Sequence, residues 1–144
     1  MRKNIKNYTS EVPMSRSLAN IQKLLASKNA EKIIVDYKDG KPVSIVFAIS
    51  TPKGVLPIRL PARIEGVAKV MYGANLNQLT RAGLKQVERT AWKNIHDWID
   101  AQLALIETEM VKFEEVFLPY VVMGNQTVFE HYQSDNLLGS GDEQ

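Results

Sequence analysis

The sequence predicts an α+β fold: a three-stranded antiparallel meander with one preceding helix and a following long helix plus shorter helices. Three observations carry this. Lys32 to Leu60 is rich in β-branched residues and is cut by turn signals at Asp39-Gly40 and Thr51-Pro52-Lys53-Gly54. Leu18, Ile21, Leu24 and Leu25 recur at helical spacing before it, and Leu84, Val87, Ala91, Ile95 and Trp98 do so after it. The chain has 144 residues, 44% hydrophobic and 24% charged, which suits one domain with a real core.

The elements follow in order. Residues 1–13 are polar and basic and read as a loose arm. Pro13 leads into the first helix, with Ser15 or Ser17 as candidate N-cap and Ser27-Lys28-Asn29 as its end. In the meander, a two-residue loop at Asp39-Gly40 would set Val43, Ile45 and Phe47 on one face with Ile34 and Asp36. A three-residue loop pairs Val35 with Val43 and Ile33 with Ile45. It gives one apolar face of Ile33, Val35, Tyr37, Val43, Ile45 and Phe47, and is preferred for that reason. Pro57 places the third strand at a sheet edge. Pro61 suits the first turn of a helix over Ala62–Tyr72. Thr80 caps the longest element, expected to run to Leu118 before Pro119. Unbroken, that helix is about 57 Å long, against a radius of gyration of about 14.5 Å. It must bend or pack on a partner, so a homo-oligomer is expected. Thr127 and Glu130 form a capping box for a last helix from Val128 to about Gln133. One domain is expected over 1–138, with Leu137-Leu138 tucked onto it and 139–144 a flexible acidic tail.

Composition excludes several classes. With no cysteine there are no disulfides, thiolate metal sites or cysteine nucleophiles. The N-terminus lacks an apolar signal segment, and no run approaches 18 apolar residues, so a cytoplasmic protein with no membrane contact is expected. His96, Asp97 and Asp100 are too few for a metal site, and His131 lies far along the chain. Glu107, Glu109, Glu114 and Glu115 read as a solvated acidic face. No phosphate loop or nucleophile motif is present, so neither an enzyme nor a cofactor is expected.

Charge is sorted by position. Met1 to Lys93 holds 17 basic and 6 acidic residues, a net +11, while Asn94 to Gln144 holds 1 and 10, a net −9. A basic block of this size points to a polyanion. Arg81, Lys85, Arg89 and Lys93 recur every four residues and share one helix face, a candidate phosphate-contacting ridge. The competing reading is a solvated or internally paired face. Arg59 and Arg63 flank a strand-to-helix joint, where free N–H groups favour anions. They serve equally well as a structural joint. Trp92, beside Lys93, is a candidate to stack a base, although burial is the commoner use of a tryptophan. Trp98, on the apolar stripe, reads as core, as do Tyr37 and Phe47.

Arg89-Thr90-Ala91-Trp92, Asp97-Trp98, Gln102, Ile106-Glu107 and Phe117-Leu118-Pro119-Tyr120 together resemble a family of small proteins encoded by phages and prophages of Gram-positive bacteria. Arg59-Leu60-Pro61-Ala62-Arg63 and Asn7-Tyr8-Thr9-Ser10 fit the same pattern, and the likeness covers roughly residues 7–132. The resemblance implies a phage origin and the cytoplasm of a bacterial host. It carries no catalytic or binding residues across.

The expected function is non-enzymatic binding of nucleic acid through backbone phosphates, DNA ahead of RNA, with single strands as candidate ligands. Arg59, Arg63, Arg81, Lys85, Arg89, Lys93 and Trp92 are the candidate contacts. The acidic C-terminal part would recruit a host or phage protein or limit unwanted binding. The alternative is a small interaction protein that binds and inhibits or redirects a host protein through the acidic helix.

Overall fold

A computed structural model describes residues 4–135. The expected tuck of Leu137-Leu138 and the tail at 139–144 lie outside the described residues. The element order is α1 (Met14–Ser27), β1 (Glu31–Lys38), β2 (Lys41–Thr51), β3 (Gly54–Pro61), α2 (Ile64–Tyr72), α3 (Arg81–Glu107), α4 (Phe113–Phe117), β4 (Val122–Met123), β5 (Gln126–Thr127) and α5 (Val128–Asp135). This is an α+β fold with the meander, the preceding helix and the following long helix as expected. The chain groups into two compact units, one of residues 1–28 and 61–104, the other of 29–60 and 105–144.

The first unit is helical. α1 buries Leu18, Ile21 and Leu25 and starts at Met14 with Pro13 at its N-cap position. Neither Ser15 nor Ser17 is the cap. Ser17 lies inside the helix, buried, and its hydroxyl has no hydrogen-bond partner. α2 begins at Ile64 and ends on Gly73, whose φ of 63° accommodates the left-handed helix exit. Pro61 is therefore the last residue of β3, not a helix start. Ala68 and Met71 of α2 pack on Val87 of α3, with Ile5, Tyr8, Ile64, Val67, Tyr72, Leu76 and Leu79 around them. Thr80 caps α3 as expected, its Oγ1 accepting from the N–H of Gly83 at 3.0 Å.

α3 stops at Glu107 and does not reach Leu118. The N–H of Glu109 bonds the carbonyl of Ile106, and the N–H of Met110 bonds that of Leu105, both at 3.0 Å. Glu109 has φ 64°. This pair of bonds is a Schellman ending with Glu109 in the position glycine usually takes. At 27 residues α3 is about 40 Å long, so the expectation that it outruns its domain lapses.

The second unit holds the three-stranded sheet in the order β1-β2-β3. Its first turn is a correction. Lys38 pairs with Lys41, so the loop has two residues, Asp39 and Gly40, both at positive φ (53° and 78°). The register then shifts: Tyr37 pairs with Pro42, but Asp36 with Ser44 and Val35 with Ile45. Val43 is the extra residue of a bulge in β2. The bulge returns Val35, Ile45 and Phe47 to a common face, part of the grouping expected of a three-residue loop. Tyr37 falls on the other side of it and is 62% exposed, so it is not core. Phe47 and Phe117 meet edge to face at 6.1 Å, and Phe113 stacks on Phe117 at 4.6 Å. The capping box of α5 is complete. The N–H of Glu130 donates to Thr127 Oγ1 at 3.1 Å, and the N–H of Thr127 donates to Glu130 Oε1 at 2.7 Å.

Candidate nucleic-acid interface

The basic row on α3 divides into a free half and an engaged half. Arg81 and Lys85 are exposed. Arg89 donates from Nε to the carbonyl of Ser10 at 3.2 Å and also bonds the side chain of Gln86. Lys93 pairs with Asp97 one turn on, at 2.6 Å. For these two residues the internally paired reading describes the geometry.

Their partners belong to a network that sequence reasoning missed. The N-terminal segment, expected to be loose, is held along α3. Gln86 Nε2 donates to the carbonyls of Tyr8 and Ser10, each at 3.0 Å, and Thr90 Oγ1 donates to that of Asn7 at 2.9 Å. Asn7, at φ 64°, donates from Nδ2 to Asn94 at 2.8 Å and to Asp97 at 2.9 Å. Lys6 and His96 also meet Asp97, at 3.6 and 2.9 Å. Burial alone would raise the pKa of Asp97. The hydrogen bonds from Lys93, Asn7 and His96 outweigh it and hold the carboxyl far below its usual range. No motif marks this network, because its partners are backbone carbonyls of a segment some 80 residues away. The only sequence hint is a set of polar residues, Gln86, Thr90 and Asn94, spaced along one stripe of an amphipathic helix.

Arg59 and Arg63 fall in different units. Arg59 is tied down within the second, donating to the carbonyl of Asn125 at 3.2 Å and pairing with Glu130 at 3.3 Å. The backbone N–H of Thr127, with Arg59, lowers the pKa of Glu130 against the opposing effect of burial. Arg63 is exposed and stands at the N-cap position of α2, but Glu65 already places an acid in that first turn. Trp92 is 1% exposed. Its ring is interior and is not available to stack a base.

The first unit thus presents Arg16, Lys23, Arg63, Lys69, Arg81 and Lys85 to solvent, and none of them enters an ion pair among the described residues. Lys85 and Arg89 also line a cleft of about 270 Å³ beside the start of α1, with Pro13, Met14, Ser15 and Glu88. Glu88 is itself buried, so the cleft holds an acid beside its two cations. Among the described residues no three histidine or acidic side chains converge as a metal site would need, and no helix is long and apolar enough to cross a membrane. Comparison of the chain with protein-family models, curated proteins and solved structures finds no match.

Proposed function

We propose that this is a non-enzymatic, phage-encoded nucleic-acid-binding protein that contacts backbone phosphates through the exposed cations of its helical unit. The observation that carries the reading is the concentration of free positive charge there. Residues 1–28 and 61–104 hold 12 basic and 5 acidic residues, a net +7. Six of the cations are exposed and outside the ion pairs described above. Such a surface releases counterions from a polyanion and needs no base-reading motif. Arg81 and Lys85 are the favoured contacts on α3, with Arg63 and Lys69 on α2. Arg59, Arg89 and Lys93 have structural partners and Trp92 is interior, so these four leave the proposed contact set.

The test is affinity for single- and double-stranded DNA and RNA over a series of salt concentrations. Binding should weaken steeply with salt. If no nucleic acid binds even at low salt, the second reading takes its place: an interaction protein acting on a host protein. What favours that one is the other unit. It carries 6 basic and 11 acidic residues, a net −5, and exposes Met110, Leu118, Met123, Phe129 and Tyr132. Acid interleaved with exposed apolar side chains suits a protein partner better than a polyanion.

A further inference from the structure

The cleft beside the start of α1 is not explained by phosphate contacts. Its volume is about 270 Å³, and Lys85, Glu88 and Arg89 of α3 line it together with Pro13, Met14 and Ser15. Lys85 is exposed, while Glu88, three residues on, is 5% exposed. Residues three apart on a helix are neighbours, with Cβ atoms about 5–6 Å apart. A cation and a carboxylate therefore border the same small space. Arg89, held by its bonds to Ser10 and Gln86, is a fixed wall. Pro13 and Met14 add apolar surface.

A carboxylate repels phosphate, so a cleft shaped for phosphate alone would be weakened by Glu88. The lining fits instead a ligand with an acceptor edge, a donor edge and an apolar face. The volume falls just below the range of about 300–1,000 Å³ for pockets that take drug-sized ligands, which suits one base and not a longer stretch of strand.

We infer that this cleft takes one unpaired guanine base of a single strand. The inference rests on the nucleic-acid reading above and adds a base preference to it. Guanine carries two acceptors, O6 and N7, on one edge, and a lysine recognises that pair. Its Watson–Crick edge carries two adjacent donors, N1–H and the 2-amino group, which the two oxygens of a carboxylate accept together. Adenine and cytosine offer one amino donor each, and thymine one ring N–H. Apolar side chains meet the flat face of an unstacked base, as Pro13 and Met14 would here. A carboxylate has about four lone-pair sites, so a contact within the chain leaves Glu88 able to accept. Lys85 has three donors, enough for a base edge and a phosphate. Exposed Arg81, four residues earlier on the same helix face, is the next phosphate contact along α3. In a duplex the Watson–Crick edge is already paired, so the base must come from a single strand.

Fluorescence anisotropy of the full chain tests this with a short labelled oligothymidylate and with the same strand carrying one central guanine. The guanine strand should bind about tenfold tighter. Inosine at that position lacks the 2-amino group and should lose most of the gain. A deazaguanine without N7 should lose part of it with wild type and less with Lys85→Ala. Glu88→Gln keeps the shape of the side chain and should remove the guanine preference without weakening the binding of oligothymidylate. Glu88 is buried, so circular dichroism must first show that this variant is folded; the inosine strand puts the same question to the unaltered protein. Equal affinity for the guanine and all-thymine strands overturns the inference and leaves the phosphate reading standing. So does a guanine preference that inosine retains in full. If no strand binds even at low salt, both readings fall.

Discussion

Asp97 joins charge, arm and helix at one residue. Its carboxylate faces Lys93 on its own helix, Lys6 and Asn7 on the N-terminal segment, and His96 beside it. The folded carboxyl titrates below its unfolded value, so between those two values the unfolded chain holds the extra proton. The stabilisation is therefore complete above about pH 4 and is lost as pH falls through the folded value. Glu130 acts in the same direction through Thr127 and Arg59. Asp97→Asn should lower stability at pH 7 by roughly 1.5–3 kcal/mol, the range for a hydrogen bond to a charged group. Urea melts of both proteins at pH 7 and at low pH should show the gap narrowing below about pH 4, where the unfolded wild-type chain takes up the proton that the folded one refuses. A gap of constant size would mean that charge has no part in holding the arm. Trp92 gives the contrasting case. Trp92→Ala should cost about 3–5 kcal/mol, as emptying an aromatic core site does. Arg81→Ala with Lys85→Ala should stay within about 0.5 kcal/mol per site, yet reduce the log–log salt slope of nucleic-acid binding by about 2. Stability and salt dependence measured side by side separate core from contact.

At the scale of elements, the end of α3 is set by three residues of ordinary composition. Thr108, Glu109 and Met110 carry no proline or glycine, and the Schellman bonds close on Glu109 at φ 64°. A side chain in that conformation is strained by about 1 kcal/mol. Glu109→Gly should relieve it, offset in part by the freer unfolded chain, and thermal unfolding should show a net gain of up to about 1 kcal/mol. No change, or a loss, would mean that Glu109 makes a compensating interaction. The same residue explains why sequence alone extends the helix to Leu118: an apolar periodicity runs on through Phe113 and Phe117, and nothing in the residue types announces the break. Where a break or cap has a chemical signature it is legible. Thr80, Gly73 and the Thr127–Glu130 box all stand where their side chains or their freedom at positive φ require. The hairpin lies between these cases. Burial decides which strand residues share a face, and that is readable from the pattern. The bulge at Val43 that reconciles this face with a two-residue loop is backbone geometry, which the pattern does not encode. The candidate site is legible in its charge and not in its pairing. Spacing of four puts Arg81 to Lys93 on one face, but only the fold brings the carbonyl of Ser10 to Arg89 and carries Asn7 and Lys6 to Asp97 beside Lys93.

For the molecule as a whole, the charge gradient along the sequence becomes a difference between compact units, a net +7 on residues 1–28 and 61–104 against −5 on the rest. The folding pattern softens the +11 and −9 of the linear chain. It assigns Lys32, Lys38, Lys41, Lys53 and Arg59 to the acidic unit and Asp97 and Asp100 to the basic one. Part of the excess charge is thereby matched locally, as with Arg59–Glu130 and Lys93–Asp97. What remains is a free positive surface on one unit and a chain that ends in acid. The segment Gly139–Gln144 carries Asp142 and Glu143. Two carboxylates on the same molecule lower the local potential seen by an approaching polyanion, and they do so only within a Debye length, about 8 Å at 0.15 M salt and about 30 Å at 0.01 M. Deleting Gly139–Gln144 should therefore tighten binding of a labelled oligonucleotide more at about 0.01 M salt than near 0.15 M. Fluorescence anisotropy at the two salt concentrations measures both arms. The full-length chain should also show the shallower salt dependence, because its own acid opposes binding most strongly where the ligand is least screened. If deletion abolished binding at low salt, the tail would be part of the contact instead of a competitor for it.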